Sequence, residues 1–289
     1  MLKDVQNSKD KRGIAIDKVG IKNLHYPISV LDKAKSFQHT VADINMYVDL
    51  PHYFKGTHMS RFLEILNEHR GEISIVSFPD ILRKIKKILN AGSASVEIEF
   101  PYFIEKTAPV SGKKSLMEYI CYYNGTIKSC SEKNRKKEKT PEFNPCVFSD
   151  SDSSAVAIDA GSDEESVIII GVKVPINTLC PCSKEISKYG AHNQRGVVSV
   201  SLEFSKLIWF EDIIENVESC ASSPIYPLLK REDERYLTER AYENPMFVED
   251  VARCVAAVLK KNKSIKRFKV EAENFESIHN HNAYAMIEG

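Results

Sequence analysis

Phe37-Gln38-His39-Thr40-Val41-Ala42-Asp43-Ile44-Asn45-Met46-Tyr47-Val48-Asp49-Leu50 alternates in its second half, with Ile44, Met46 and Val48 separated by polar or aromatic residues. A period of two puts every second side chain on one face of an extended chain, so the stretch predicts a β-strand with one buried side. Upstream, residues 19–32 are rich in β-branched and apolar residues and predict a partner strand. Downstream, Thr57 stands where it can cap a helix whose apolar face is Met59, Phe62, Leu63 and Leu66. Asp80 starts a second helix that buries Ile81, Ile85, Ile88 and Leu89, leaves Arg83, Lys84, Lys86 and Lys87 outside, and stops at Gly92. Residues 95–105 alternate again, with Val96, Ile98 and Phe100 on one face, and residues 116–123 read as another strand.

That order, two strands, two helices, two strands, recurs in the second half. Residues 166–176 predict an apolar strand, 197–210 a long one and 211–217 a short helix. Asn244 and Pro245 form a cap and first-turn pair ahead of a longer helix faced by Phe247, Val248, Val251, Val255, Val258 and Leu259. Residues 268–275 and 283–287 close with two strands. The expected architecture is α+β, with two tandem ββααββ units over residues 12–124 and 166–289. Between them, residues 125–165 hold a basic run (133–139) followed by a Ser/Asp/Glu-rich run (149–165). That segment has too little hydrophobicity to offset its ordering entropy and is expected to be a disordered insertion.

Composition narrows the function. The 289 residues are 43% apolar and 28% charged, which suits a globular chain with a core of its own. Forty basic residues balance forty acidic ones, which argues against a dedicated nucleic-acid or membrane-surface binder. Residues 1–18 are charged and lack the apolar run of a signal peptide, and no stretch approaches the roughly 20 apolar residues of a membrane span. Seven cysteines, an odd number in a chain of this size, point to free thiols and a cytoplasmic setting.

Five clusters carry candidate chemistry. The densest is Cys180-Pro181-Cys182-Ser183-Lys184-Glu185-Ile186-Ser187, followed by Tyr189-Gly190-Ala191-His192-Asn193-Gln194-Arg195-Gly196. A thiolate and an imidazole in one polar segment suit a borderline-soft divalent metal such as zinc. In an extended chain Cys180 and Cys182 would point to opposite faces, so one of them is the expected ligand. The segment is too poor in Cys and His for a closed four-ligand site, and an open site with a water position fits better. From Cys-x-Cys alone, packed core thiols would be the plainer reading. In Glu273-Asn274-Phe275-Glu276-Ser277-Ile278-His279-Asn280-His281-Asn282, two histidines spaced by two share a face if extended and can move protons near neutral pH. Surface histidines near a C-terminus are the bland alternative.

The remaining clusters are Arg231-Glu232-Asp233-Glu234, Phe247-Val248-Glu249-Asp250 and Phe54-Lys55-Gly56-Thr57-His58-Met59-Ser60-Arg61. A buried carboxylate can accept side by side from two adjacent N–H donors of a ligand. Glu249 stands in a helical first turn, where acids also occur for stability alone. Lys55, Gly56 and Arg61 at a helix start can hold phosphate, or be an ordinary capped helix with exposed charges.

Taken together, Cys180-Pro-Cys-Ser-Lys-Glu-Ile-Ser, Tyr189-Gly-Ala-His-Asn-Gln-Arg, Lys55-Gly-Thr-His-Met-Ser-Arg-Phe and Glu273-Asn-Phe-Glu-Ser-Ile-His-Asn-His resemble the type IB GTP cyclohydrolases. The resemblance runs from about residue 12 to 287, except over the insertion. It implies a tunnelling fold, with antiparallel sheets and helices packed on one face, and a homotetramer with active sites at subunit interfaces. It implies Cys180, His192 and Glu234 as ligands of zinc or manganese, with iron a further candidate, and Glu249 as the guanine anchor. It assigns Glu276, His279 and His281, with Cys180, to the catalytic group, and leaves Lys55, Arg61, Lys184 and Arg195 as candidates for the triphosphate.

The activity so implied is hydrolysis of GTP at C8, loss of formate and closure to 7,8-dihydroneopterin triphosphate, for folate or related pterin and deazapurine synthesis. Related enzymes release a cyclic phosphate instead. A nitrile reductase of the same fold uses a cysteine nucleophile and NADPH, but its lysine-rich motif is missing here. A zinc-stabilised binding module would unfold on losing metal, whereas a catalytic site would lose activity and keep its fold.

Overall fold

A long antiparallel hairpin of β1 (Ile16–Asp32) and β2 (Ser36–Leu50) opens the fold, in a computed structural model that describes residues 6, 8–69, 73–129 and 164–289. The turn is set by Asp32, whose carboxylate accepts the Ala34 and Lys35 amides at 2.8 and 2.7 Å, and by Ser36 at φ 70°. Along β2 the expected alternation holds, with Ala42, Ile44, Met46 and Val48 buried. Gly20, paired with Tyr47, is required because a Cβ there would lie 1.9 Å from the Met46 carbonyl oxygen.

Contacts divide the chain into two compact units. One comprises Met1–Phe100, Tyr122–Ile169 and Ser205–Leu207, the other Pro101–Cys121, Ile170–Phe204 and Ile208–Gly289. In the first, β2 pairs with β3 (Ser93–Thr107), placing Ile44 beside Ile98 and Met46 beside Val96, and β4 (Lys114–Ser129) is the next strand in order. Helix α1 (Ser60–Glu68) buries Phe62, Ile65 and Leu66, and α2 (Phe78–Ile88) buries Phe78, Ile81, Leu82 and Ile85.

Several boundaries differ from the sequence reading. Thr57 does not cap α1; Met59 precedes the helix without a side-chain cap, and Thr57 gives its carbonyl to the Gln6 amide. Helix α2 starts at Phe78 rather than Asp80, with Pro79 preorganising its first turn. Its reversal is made by Asn90 at φ 50°, two residues before Gly92.

In the second unit, β5 (Glu164–Leu179), β6 (Asn193–Phe204), β8 (Ile265–Asn274) and β9 (Ala283–Glu288) lie side by side, and the short β7 (Ser223–Pro224) pairs with β5. β6 and β8 are antiparallel, matching Val198 to Ala272 and Val200 to Val270, and β8 pairs antiparallel with β9. Helix α6 (Val248–Leu259) packs on β8 and β9 through Val248, Val251, Ala252, Val255, Ala256 and Leu259. α3 (Pro181–Ile186), α4 (Phe210–Ser219) and α5 (Arg231–Glu243) complete the unit.

Here too the expectations shift. Phe210 opens α4 instead of ending a strand, because β6 stops at Phe204. Asn244 closes α5, donating its amide to the Ala221 carbonyl, and Phe247 is exposed ahead of α6. The polar segment expected over 125–165 is strand at both ends, since β4 continues to Ser129 and β5 begins at Glu164; the rest, 130–163, lies outside the described residues. Among the described residues no helix is long and apolar enough to cross a membrane.

Candidate active site

Strand β5 delivers Cys180 to the edge of a small closed motif. Cys180 is extended at φ −69° and ψ 116° and caps α3, with Pro181 in the first helical position. The Ser183 amide donates to the Cys180 sulfur at 3.4 Å, and the Ser183 hydroxyl donates to the Cys180 carbonyl at 3.1 Å. The Cys180 amide donates to the His192 carbonyl at 3.1 Å, and the His192 amide donates to the Ser183 hydroxyl at 3.2 Å. Ser183 thus locks thiol and imidazole segments to one another. The two cysteines part because a helix intervenes, not because the chain is extended; Cys182 lies exposed on α3.

The His192 ring is held from two sides. Its Nδ1 is 3.0 Å from Gln194 Oε1 and 3.2 Å from Ser277 Oγ. Gln194 is 6% exposed and donates its amide to Thr178 Oγ1 at 3.1 Å. Thr178, Gln194 and Asn274 make a buried polar patch at the ends of β5, β6 and β8, where Val172, Val198 and Val270 fill the same strands further along. Asn274 Oδ1 has no hydrogen-bond partner among the described residues, and a Cβ on Gly196 would come within 2.6 Å of it.

Ser277 brings the second sequence cluster to the first. From the end of β8 the chain runs through Phe275, whose amide donates to the Arg195 carbonyl, to the His279 and His281 rings, stacked at 5.1 Å and 22°. Both histidines are exposed and Glu276 is half-buried. Asn282 closes the loop by donating its side-chain amide to the Glu273 carboxylate at 2.7 Å.

The carboxylate clusters divide their labour. Asp233 is fully buried and accepts from the Lys230, Val110 and Ser111 amides and the Ser111 hydroxyl. Burial works against its charge, yet these bonds hold its carboxyl well below the usual carboxylate range. Next to it, Glu234 is exposed. Glu249 was expected to be a buried carboxylate; it is exposed in the first turn of α6, while Asp250 accepts the Phe247 amide and caps the helix. Among the described residues no three His, Cys, Asp or Glu side chains stand close enough to hold a metal ion, so Glu234 does not join Cys180 and His192 within one chain.

The cation candidates also separate. In the first unit, Arg61 donates to the Ile88 carbonyl at 3.1 Å and lines a cavity of about 80 Å³ with Asp49, Thr57 and Asn90, while Lys55 is exposed. In the second, Lys184 donates to the Tyr242 carbonyl and lies 4.4 Å over the Tyr242 ring, while Arg195 is exposed on β6. Sequence reasoning missed Ser183, Gln194, Ser277 and Thr178. For Gln194 the signal was there: residues 192 and 194 share a face if extended.

Comparison with known proteins gives a consistent picture. A family model described as type I GTP cyclohydrolase folE2 matches residues 2–147 and 146–285. The GTP cyclohydrolase FolE2 of Syntrophus aciditrophicus is 55% identical over 285 residues, covering 99% of this chain and 98% of that protein. Those of Geotalea uraniireducens and Thermosipho africanus are 53% and 52% identical, each over 99% of this chain and over 93% and 97% of their own lengths. Among solved structures, the urate oxidase of Bacillus sp. TB-90 is similar with a TM-score of 0.51 at 9% identity, over 95% of this chain and 99% of that one. At that identity the likeness concerns the tunnelling-type fold alone.

Proposed function

Because the chain belongs to the type I GTP cyclohydrolase FolE2 family, we propose that it converts GTP and water into formate and 7,8-dihydroneopterin triphosphate. The observation that carries this reading is the closed Cys180–Ser183–His192 motif tied to the His279–His281 loop through Ser277.

Cys180 and His192 fit a divalent metal. The thiol accepts an amide hydrogen bond that fixes its direction, and the imidazole is held at Nδ1, leaving Nε2 to coordinate. Sulfur with imidazole suits zinc, with manganese or iron as the other candidates. Glu234 is proposed as third ligand on the family resemblance, since it stands apart from the pair in one chain. A metal held there supplies Lewis acidity and water acidified enough to act as a nucleophile near neutral pH.

The protein's own groups do the rest. Glu249 accepts from guanine N1–H and the 2-amino group and orients the ring. Water adds at C8, and Glu276, His279 or His281 protonates N7 as the imidazole ring opens. A second hydrolysis releases C8 as formate, consuming another water. The ribose then isomerises to a ketone and the freed amine condenses with it, returning one water, so net consumption is one. These repeated transfers at carbon and nitrogen suit two neighbouring imidazoles. Lys55 and Arg195 are the better candidates for the triphosphate, because Arg61 and Lys184 already hold carbonyls.

A homotetramer with active sites at subunit interfaces is part of the proposal, supported by the exposure of Glu234, Glu249, His279 and His281. A cytoplasmic setting is supported by the free thiols Cys121, Cys180, Cys182, Cys220 and Cys254. The test is incubation of zinc- or manganese-loaded protein with GTP and, separately, ATP, followed by oxidation and fluorescence detection of pterin. Fluorescent pterin from GTP alone is expected; none from GTP overturns the proposal.

A further inference from the structure

We propose that Gln194 is a positioning residue whose side-chain carbonyl takes the Nδ1 hydrogen of His192, so that the ring presents its Nε2 lone pair for ligation. This rests on the reading of His192 as a metal ligand given above.

The geometry is a relay of three side chains. Gln194 Oε1 lies 3.0 Å from His192 Nδ1, and Gln194 Nε2 donates to Thr178 Oγ1 at 3.1 Å. A side-chain amide has one accepting end and one donating end. In the structure the amide turns its donating end to Thr178 and its accepting end to the imidazole, and a ring nitrogen that faces a carbonyl must carry hydrogen. A neutral imidazole has a single N–H, so Nε2 is left as the lone pair. Ser277 Oγ also approaches Nδ1, but a hydroxyl donates or accepts equally and does not choose the tautomer.

Burial argues that the amide is there for this purpose. Gln194 is 6% exposed and Thr178 0%, on neighbouring strands β6 and β5. Val198, Val200 and Leu202 continue the buried face of β6, and an apolar residue at 194 would pack there without the cost of burying an amide. Both partners sit on sheet backbone, which fixes the ring more tightly than a loop contact could.

The experiment measures zinc affinity by chelator competition in full-length wild type, Gln194→Met, Gln194→Glu, His192→Ala and Cys180→Ala. It also reads the His192 ring nitrogens in metal-free, histidine-labelled wild type by 15N NMR. Gln194→Met keeps the bulk and removes the acceptor, and is expected to weaken zinc binding roughly 10- to 100-fold with its circular dichroism unchanged. Gln194→Glu restores an acceptor at the same place and is expected to recover most of the affinity. The wild-type neutral ring is expected in the Nδ1–H form. Wild-type zinc affinity in Gln194→Met, beside losses in His192→Ala and Cys180→Ala, overturns the role of Gln194 and leaves the ligand reading standing. Wild-type affinity in His192→Ala and Cys180→Ala overturns the ligand reading itself. Should Gln194→Met fail to fold, the tautomer decides, and an Nε2–H ring overturns the proposal.

Discussion

Ser277 Oγ lies 3.2 Å from His192 Nδ1, across 85 residues of chain. Through this contact the loop of Glu276, His279 and His281 is tied to the segment of Cys180 and His192. Ser277→Ala removes one hydrogen bond from a ring that Gln194 still holds. A neutral bond of this kind contributes about 0.5–1.5 kcal/mol. Turnover is expected to fall roughly two- to tenfold, with fold and metal content retained, as steady-state kinetics beside metal analysis will show. A loss of metal exceeding the loss of turnover would make Ser277 a support for the ligand instead.

Glu249 and Glu234 are both exposed acids near helix starts, and substitution separates their roles. Glu249→Gln replaces one acceptor oxygen by a donor facing a substrate donor. GTP affinity and most turnover should be lost while metal remains, because sites built on such bonds discriminate by about 10⁴ or more. Glu234→Gln should lower metal occupancy first. Metal content measured beside GTP affinity decides, and a Glu249→Gln protein that binds GTP but lacks metal would exchange the two assignments.

Asp233 supplies an acid-sensitive element of stability. Its carboxyl is held well below its ordinary value despite burial, through bonds from Ser111, Lys230 and Val110. A depressed folded-state pKa contributes stability that is complete above the unfolded value of about 3.9 and is lost as pH falls towards the folded one. Asp233→Asn should therefore melt below wild type at pH 7, with the gap closing below about pH 4. Thermal melts across that range check it; a constant gap would trace the loss to shape rather than charge.

Residues 130–163 should be dispensable. Their composition is polar and charge-blocked, and the flanking strands end at Ser129 and resume at Glu164, which pairs with Lys86. Replacing 131–162 with a short Gly/Ser linker should preserve oligomeric size and activity, read by gel filtration and pterin fluorescence. Loss of either would give the segment a structural role.

Periodicity made the long strands and amphipathic helices legible. β2 shows its buried face directly as Ala42, Ile44, Met46 and Val48, and α2 as Ile81 and Ile85. α5 was not legible, because Arg231–Glu243 is charged nearly all round and buries only Asp233 and Ala241. α3 is six residues, too short for any period. The motif residues Cys180 and His192 stood out by chemistry, and the structure brings their segments together. Ser183 and Ser277 did not, since a serine in a polar stretch looks like any other until its hydrogen bonds are seen. The exposure of Glu249 was hidden for a related reason: sequence places an acid in a first turn but does not say whether anything covers it.

The central claim is that this chain removes C8 of guanine as formate. GTP labelled with 13C at C8, incubated with the metal-loaded protein and followed by NMR, tests it most directly. The account predicts that the label appears wholly as formate while an unlabelled dihydropterin triphosphate accumulates, and that neither forms with Cys180→Ala. Label that stays in a nucleotide or passes into the pterin, or formate released equally by Cys180→Ala, would contradict it.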